Sequence, residues 1–186
     1  MGSNHLHDLA GIEQFPNLKE LWVCGNPITS LAGVDALPHL EILDATGCEH
    51  LSDLGGLEQS RSLVKLYLGK TKITRFVALD SLAKLEYLNL EDDHIECFEN
   101  MHVLASLEYM SLNYADIAHP EGLSRVPNLK YLNLWGTRVP DYSFLEGMRT
   151  LEDVQLRFDD FTEYQRDCIM DFADWAKFHD CQEYIP

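Results

Sequence analysis

The stretch LEYLNLEDDHI, residues 85–95, decides the fold of this chain because its apolar pattern recurs along the sequence. Leucines stand at positions one, four and six of the stretch, and an isoleucine closes it at position eleven. The copies begin at residues 18, 40, 63, 85, 107, 129 and 151, a period of 22 with one step of 23. Such a register indicates one structural unit repeated along the chain. The other copies are LKELWVCGNPI (18–28), LEILDATGCEHL (40–51), LVKLYLGKTKI (63–73), LEYMSLNYADI (107–117), LKYLNLWGTRV (129–139) and LEDVQLRFDDF (151–161).

Each copy predicts a short strand followed by a turn. The alternation of Leu88 and Leu90 favours a strand. Apolar residues then recur at every third place, as in Ile95 and Phe98, which is typical of 3₁₀ turns. Because one repeat cannot bury its own leucines, neighbouring repeats must stack. The sequence therefore predicts an α/β solenoid, an arc with a parallel β-sheet on its concave face and 3₁₀ or irregular turns on its convex face.

This spacing resembles the leucine-rich repeats of the 22-residue class, as in internalins and the regulatory subunit of type-1 protein phosphatase. The resemblance covers about residues 6–161 and implies the same curved stack. In that class position nine is normally asparagine, whose side chain bonds the backbone of the turn. Asparagine occupies that position in one repeat here, and the seven residues are Asn26, Cys48, Thr71, Asp93, Ala115, Thr137 and Asp159.

The two ends of the stack predict caps within a single domain, residues 1–186. Residues 6–17 read as a partial repeat, in which Leu6, Leu9, Ile12 and Phe15 keep the every-third spacing and shield the repeats at 18–161. Residues 162–186 read as a C-terminal helical cap. Thr162 and Gln165 match a capping box, and apolar residues at helical spacing follow, so we expect an amphipathic helix over 163–179.

The chain carries a net charge of −17, which argues against binding to nucleic acid and to anionic membrane surfaces. The charge is uneven, since residues 86–186 hold 21 acidic residues against seven basic ones. Two interpretations stay open. The acidic surface either serves solubility alone or attracts a basic protein partner.

The termini and the cysteines point to the cytoplasm. Residues 1–17 lack the basic start and apolar core of a secretory signal. No apolar run approaches the roughly 18 residues that a membrane span needs. The five cysteines are odd in number, widely spread and without a CxxC pair, which suits reduced thiols better than a disulfide framework.

The concave face is the candidate binding surface, because positions three, five and seven of each repeat project from it. Tyr87, Tyr109 and Tyr131 form a column at position three of adjacent repeats, about 4.8 Å apart. Stacked tyrosines could serve only to stabilise the sheet, but exposed rings with polar tips also form interface hot spots. The predicted partner-binding residues are Trp22, Asp44, Tyr67, Tyr87, Asn89, Glu91, Asp92, Tyr109, Asn113, Tyr131, Asn133 and Trp135.

Catalysis finds little support in the sequence. Glu91, Asp92, Asp93 and His94 resemble a metal site, but neighbouring residues on a strand point to opposite faces. No histidine falls at an outward strand position, and no common nucleophile, phosphate-loop or zinc motif occurs. We therefore expect a protein without cofactor or enzymatic activity. The favoured role is a stoichiometric inhibitor or immunity-type partner of a basic protein. The alternative is an adaptor or regulatory subunit of an enzyme such as a protein phosphatase, and a metal-dependent enzyme is a distant third.

Overall fold

The computed structural model describes residues 5–76, 82–98, 101–157 and the backbone of 177–180. The strands in chain order are β1 (Glu20–Trp22), β2 (Ile42–Asp44), β3 (Lys65–Tyr67), β4 (Arg75–Phe76), β5 (Tyr87–Asn89), β6 (His94–Phe98), β7 (Tyr109–Ser111), β8 (Asp116–His119), β9 (Tyr131–Asn133), β10 (Asp153–Leu156) and β11 (Lys177–Asp180). The 3₁₀ turns are Ile12–Gln14, Val34–Ala36, Met101–Val103, Pro120–Arg125 and Ser143–Gly147.

The predicted parallel sheet is confirmed, and the seven copies supply one strand each. The strand order is β1-β2-β3-β5-β7-β9-β10-β11. Neighbouring strands pair in phase with the repeat, so that Leu66 lies beside Leu88 and Leu88 beside Met110. Because side chains alternate along a strand, position four points inward in every repeat, and positions three and five point out together. The register of the leucines therefore sets the register of the binding face.

The core is a continuous column of these inward residues. Leu43, Leu66 and Leu88 are at most 1 % exposed. Truncating a leucine buried to this degree to alanine typically costs 2–5 kcal/mol, because a cavity is left where the side chain packed. The face opposite the sheet buries Ile73, Phe76 and their counterparts at the same period. Both halves of each repeat contribute to one core.

The convex side departs in part from the predicted turns. Two of the 3₁₀ turns, Val34–Ala36 and Ser143–Gly147, directly follow strands of the main sheet, as expected. In the third to fifth repeats, however, β4, β6 and β8 form a second parallel sheet of three strands. Ile95 and Phe98 of β6 and Ile117 of β8 are buried in this layer. Extended backbone fits here because β-branched and aromatic residues occupy these sites.

The N-terminal cap is smaller than the sequence indicates. Leu9 is buried and Ile12 packs against the core. Leu6 and Phe15 are 43 % and 59 % exposed, so their predicted shielding role is wrong. The Leu6 backbone amide instead donates a hydrogen bond to Asn26 Oδ1 at 3.0 Å. The backbone of this segment, as well as its apolar side chains, ties it to the first repeat.

The predicted C-terminal helix over 163–179 is wrong at its last three residues. Residues 177–180 are β11, which pairs in parallel with β10 and adds an eighth strand to the main sheet. The rest of the predicted helix, together with Asp159 and Thr162, lies outside the described residues.

In three repeats the side chain at position nine donates a hydrogen bond to a backbone carbonyl, and only one of these side chains is the expected asparagine. Asn26 Nδ2 donates to the Val23 carbonyl at 2.8 Å. Cys48 Sγ reaches the same carbonyl from the next repeat at 3.3 Å, and Thr137 Oγ1 donates to the Leu112 carbonyl at 2.7 Å. The cysteine and the threonine both bridge 25 residues back to the preceding repeat. These bonds join successive turns without an asparagine ladder.

Asp93 differs from these donors at position nine, since a carboxylate accepts hydrogen bonds and cannot donate. It is 3 % exposed, and its Oδ1 accepts the Thr71 backbone amide at 2.6 Å. Its Oδ2 is buried without a hydrogen-bond partner among the described residues. Burial, aided by the charges of Asp92 and Glu91, raises the pKa of Asp93 to about 7, against the opposing bonds from Thr71. When Asp93 is protonated, its carboxyl O–H can donate a hydrogen bond, as the side chains at position nine do in other repeats.

Candidate functional site

A continuous stack of four tyrosine rings crosses the concave face. The ring centroids of Tyr87 and Tyr109 lie 4.6 Å apart, with an angle of 5° between the ring planes. Tyr109 and Tyr131 follow at 6.4 Å, and Tyr67 of β3 joins Tyr87 at 5.0 Å. The structure thus brings together the three tyrosines predicted at position three and adds Tyr67 from position five. We call these four residues the tyrosine column.

The phenols of Tyr67, Tyr87 and Tyr109 stay protonated at physiological pH. Burial raises the pKa of Tyr87 to about 12, with the neighbouring phenols adding to the shift. Burial also raises the pKa of Tyr109 and of Tyr67. Tyr131 is 40 % exposed, and its hydroxyl lies 3.4 Å from Glu152 Oε2. Tyr67, Tyr87 and Tyr109 therefore present ring surface with neutral hydroxyls, which both donate and accept hydrogen bonds.

The polar residues predicted among the rings are engaged in ending the strands. Asn89 Oδ1 accepts the backbone amide of Glu91, and Asn133 Oδ1 accepts that of Trp135, each at 2.9 Å. Asp44 Oδ1 makes the equivalent bond to Thr46. Such Asx turns satisfy backbone donors where the sheet stops. Similarly, the Ser111 hydroxyl donates to Asn113 Oδ1. These side chains belong to the frame of the face, and their acceptor oxygens are already occupied.

Two tryptophans flank the tyrosine column at the edges of the face. Trp22 is 58 % exposed, and its Nε1 donates to Glu20 Oε2 at 3.2 Å. The register places Trp22 beside Asp44, and Asp44 beside Tyr67 of the column. Trp135 follows β9 and is half-buried. The predicted aromatic residues therefore form one connected surface from β1 to β9.

The four residues Glu91 to His94 point to different surroundings. Glu91 and Asp92 each lie 4.0 Å from Lys70 Nζ. Asp93 turns into the core, and His94 Nδ1 lies 3.4 Å from Asp116. Within the described ranges, no three histidine, cysteine or acidic side chains converge as metal ligands would. Glu91 and Asp92 extend the concave face at the carboxyl end of β5.

Sequence reasoning missed Tyr114, which is 56 % exposed beyond the end of β7. Its backbone has a φ of 59°, in the left-handed region. Position eight adopts this conformation in six repeats, and Gly25, Gly47 and Gly136 hold it in three of them. The glycines were the available signal, because left-handed backbone costs a glycine nothing. A tyrosine at such a place bears the steric cost.

No helix in the described part of the chain has the length and apolarity required to cross a bilayer.

Comparisons with known proteins agree with this architecture. A family model described as Leucine Rich repeats (2 copies) matches residues 16–59. No curated protein matches the chain. Among solved structures, a leucine-rich-repeat protein of Leptospira interrogans is similar over 96 % of this chain, with 19 % identity and a TM-score of 0.71.

Two internalins of Listeria monocytogenes share the fold as well. Internalin C2 is 22 % identical over 83 % of this chain, with a TM-score of 0.60. The internalin InlF is 22 % identical over 75 % of it, with a TM-score of 0.54. The chain covers 48 % of InlF, 53 % of the Leptospira protein and 77 % of internalin C2. The chain therefore has the leucine-rich-repeat fold of these proteins, and its residues 16–59 match the repeat family itself.

Proposed function

We propose that this chain is a non-catalytic protein-binding module that takes up a basic protein on its concave face, in a stoichiometric complex. The observation that carries the proposal is the tyrosine column, a run of four contacting rings on a regular sheet. Solenoids use their extended concave surfaces for binding.

The energetics of the column favour an interface. Tyrosine offers a large contact area with few rotatable bonds, so little conformational entropy is lost on binding. The mutual stacking of Tyr87 and Tyr109 already restricts both rings in the unbound protein. Aromatic residues at an interface centre, once shielded from water, contribute most of the affinity. A partner that covered the column would gain from rings ordered in advance.

The charges around the column favour a basic partner. Glu20, Asp44, Glu91 and Asp153 occupy outward positions of the face, against two basic residues, Lys65 and Arg157. A groove of about 630 Å³ runs along the amino-terminal edge of the strands, beside Tyr131. Its charged residues are Glu86, Glu108, Lys130 and Glu152. Glu108 and Lys130 form an ion pair at 2.7 Å, so the remaining charges, Glu86 and Glu152, give the groove a negative potential.

The proposed role is inhibition or neutralisation, as in an immunity protein. A partner held across the whole concave sheet would have its own surface covered, and the acidic field would speed the encounter. The alternative is an adaptor that positions an enzyme. We also propose a reducing, cytoplasmic location, because five widely spread cysteines without a CxxC pair suit reduced thiols better than a disulfide framework.

Affinity capture with matched variants tests the proposed face. Wild type, Tyr109→Ala and Phe15→Ala serve as bait in native lysate, and retained proteins are identified and quantified by mass spectrometry. Phe15 is an exposed aromatic ring in the N-terminal cap, outside the sheet. We expect a basic protein retained by wild type and Phe15→Ala and lost with Tyr109→Ala. Equal retention by all three baits, or an acidic partner, would contradict the proposal.

A titration of the partner's activity separates the two roles. If the chain is an inhibitor, the activity of the purified partner falls to its minimum at one equivalent of chain. If the chain is an adaptor, that activity persists or shifts to another substrate at the same ratio.

A further inference from the structure

A second cavity lies at the carboxyl edge of the sheet, opposite the acidic groove. Its volume is about 480 Å³, and its walls come from the ends of β7, β9 and β10 and the turn after β9. The residues that decide its chemistry are Tyr114, Arg138, Tyr142 and Arg157. We call it the arginine cavity. No acidic side chain lines it.

Both guanidinium groups are exposed and available. Neither Arg138 nor Arg157 makes an ion pair with another residue in the described part of the chain. Asp116 is bridged to Arg138 through the backbone, but its carboxylate lies 3.4 Å from His94 Nδ1. In a chain with 31 acidic and 14 basic residues, it is unexpected that two arginines lining one cavity have no carboxylate partner among the described residues.

The aromatic wall is held in a costly conformation. Tyr114 has left-handed backbone, with a φ of 59°, which is strained for a residue other than glycine. Its ring packs over Gly136, where a Cβ would come within 2.7 Å of ring atom Cδ1. Tyr142 is fixed on the other side, with its hydroxyl 3.4 Å from the Thr137 carbonyl. The two repeats fit each other so that an exposed ring lies beside the guanidinium groups.

We propose that the arginine cavity binds an oxyanion, a carboxylate or a phosphate, carried by a flat apolar group that packs against Tyr114. Guanidinium groups recognise both oxyanions through paired hydrogen bonds. The net charge of −17 disfavours free inorganic anions, so contact between an attached group and the ring must supply part of the binding energy. The site is distinct from the tyrosine column and does not depend on the proposed partner.

Small anions test the cavity directly. Phenyl phosphate, benzoate, inorganic phosphate and sodium chloride are titrated into ¹⁵N-labelled protein at millimolar concentrations, at constant ionic strength. We expect phenyl phosphate or benzoate to shift the amide signals of Tyr114, Gly136 and Arg138, with inorganic phosphate weaker and chloride without effect. The better of the two aromatic anions identifies the oxyanion as phosphate or carboxylate.

Variants decide whether the guanidinium groups are responsible. Arg138→Gln and Arg157→Gln should each weaken binding about tenfold or more, since each change removes charge-assisted hydrogen bonds to the oxyanion. Arg125→Gln, an exposed arginine on a 3₁₀ turn outside the cavity, is the matched control and should bind as wild type. Shifts that persist in the double Gln variant, or no shift with any aromatic anion, would overturn the proposal.

Discussion

Replacing Asp93 by asparagine should stabilise the protein more at high pH than at low pH. The folded pKa of Asp93 is about 7, against an ordinary value of 3.8 for an aspartate carboxyl. Between these values the unfolded chain has lost the proton that the folded chain keeps. The free energy of unfolding therefore falls by about 1.4 kcal/mol for each pH unit in this window, and the loss is complete above the folded pKa.

The magnitude follows from integrating this slope. The full shift corresponds to about 4 kcal/mol, of which about 2.5 kcal/mol accrues between about pH 5 and pH 8. Asparagine cannot ionise, and its amide supplies the donor that Asp93 offers only when protonated. Thr137 and Cys48 each donate to the carbonyl 25 residues earlier in the chain. By the same spacing, we expect the amide of Asn at position 93 to donate to the Leu68 carbonyl.

Urea denaturation of wild type and Asp93→Asn at the two pH values measures this effect. We expect the advantage of the variant to be about 2.5 kcal/mol larger at the higher pH. Asp35→Asn, at an exposed aspartate on the 3₁₀ turn Val34–Ala36, is the control and should not reproduce this difference between the two pH values. An advantage of Asp93→Asn that does not change with pH would refute the reasoning.

Three further predictions concern packing, thiols and association. Gly122→Ala should lower the free energy of unfolding, measured in urea, by at least about 2 kcal/mol, because the added Cβ would lie 2.0 Å from the Phe98 carbonyl oxygen. Gly147→Ala is the control and should be tolerated, since its Cβ would lie 3.6 Å from the nearest atom. All five cysteines should react with a thiol reagent in the unfolded protein without prior reduction, and fewer than five would contradict a reducing compartment. Glu91→Gln with Asp92→Asn should slow association with the basic partner, an effect that added salt abolishes; unaltered association kinetics would count against electrostatic steering.

The sheet and its outward residues were predictable because they depend on one period. Seven leucines in register determine which residues share a row, and Tyr87, Tyr109 and Tyr131 meet as a consequence. The entry of Tyr67 into the stack was not predictable, since it is a diagonal contact between positions three and five. It depends on ring tilt rather than on register.

The misses arise where contacts distant in sequence overrule a local pattern. Residues 177–179 have helical spacing to the segment before them, but the open edge of β10 pairs with 177–180 as a strand. Leu6 and Phe15 keep the repeat period ahead of the first full repeat, but both side chains are exposed there. The pKa of Asp93 is raised by burial at position nine, and its acidic neighbours in the sequence give no sign that this one carboxyl is buried.

The affinity of concave-face variants for the protein retained by wild type tests the central claim most directly. Tyr109→Ala should weaken binding by about 2 kcal/mol or more, roughly 30-fold, mainly through faster dissociation. Because Tyr109 also stacks on Tyr87, Tyr131→Ala at the exposed end of the column guards against an effect on folding. Our account predicts that both variants melt close to wild type and bind weakly, while Phe15→Ala binds fully. Wild-type affinity in both tyrosine variants would contradict it.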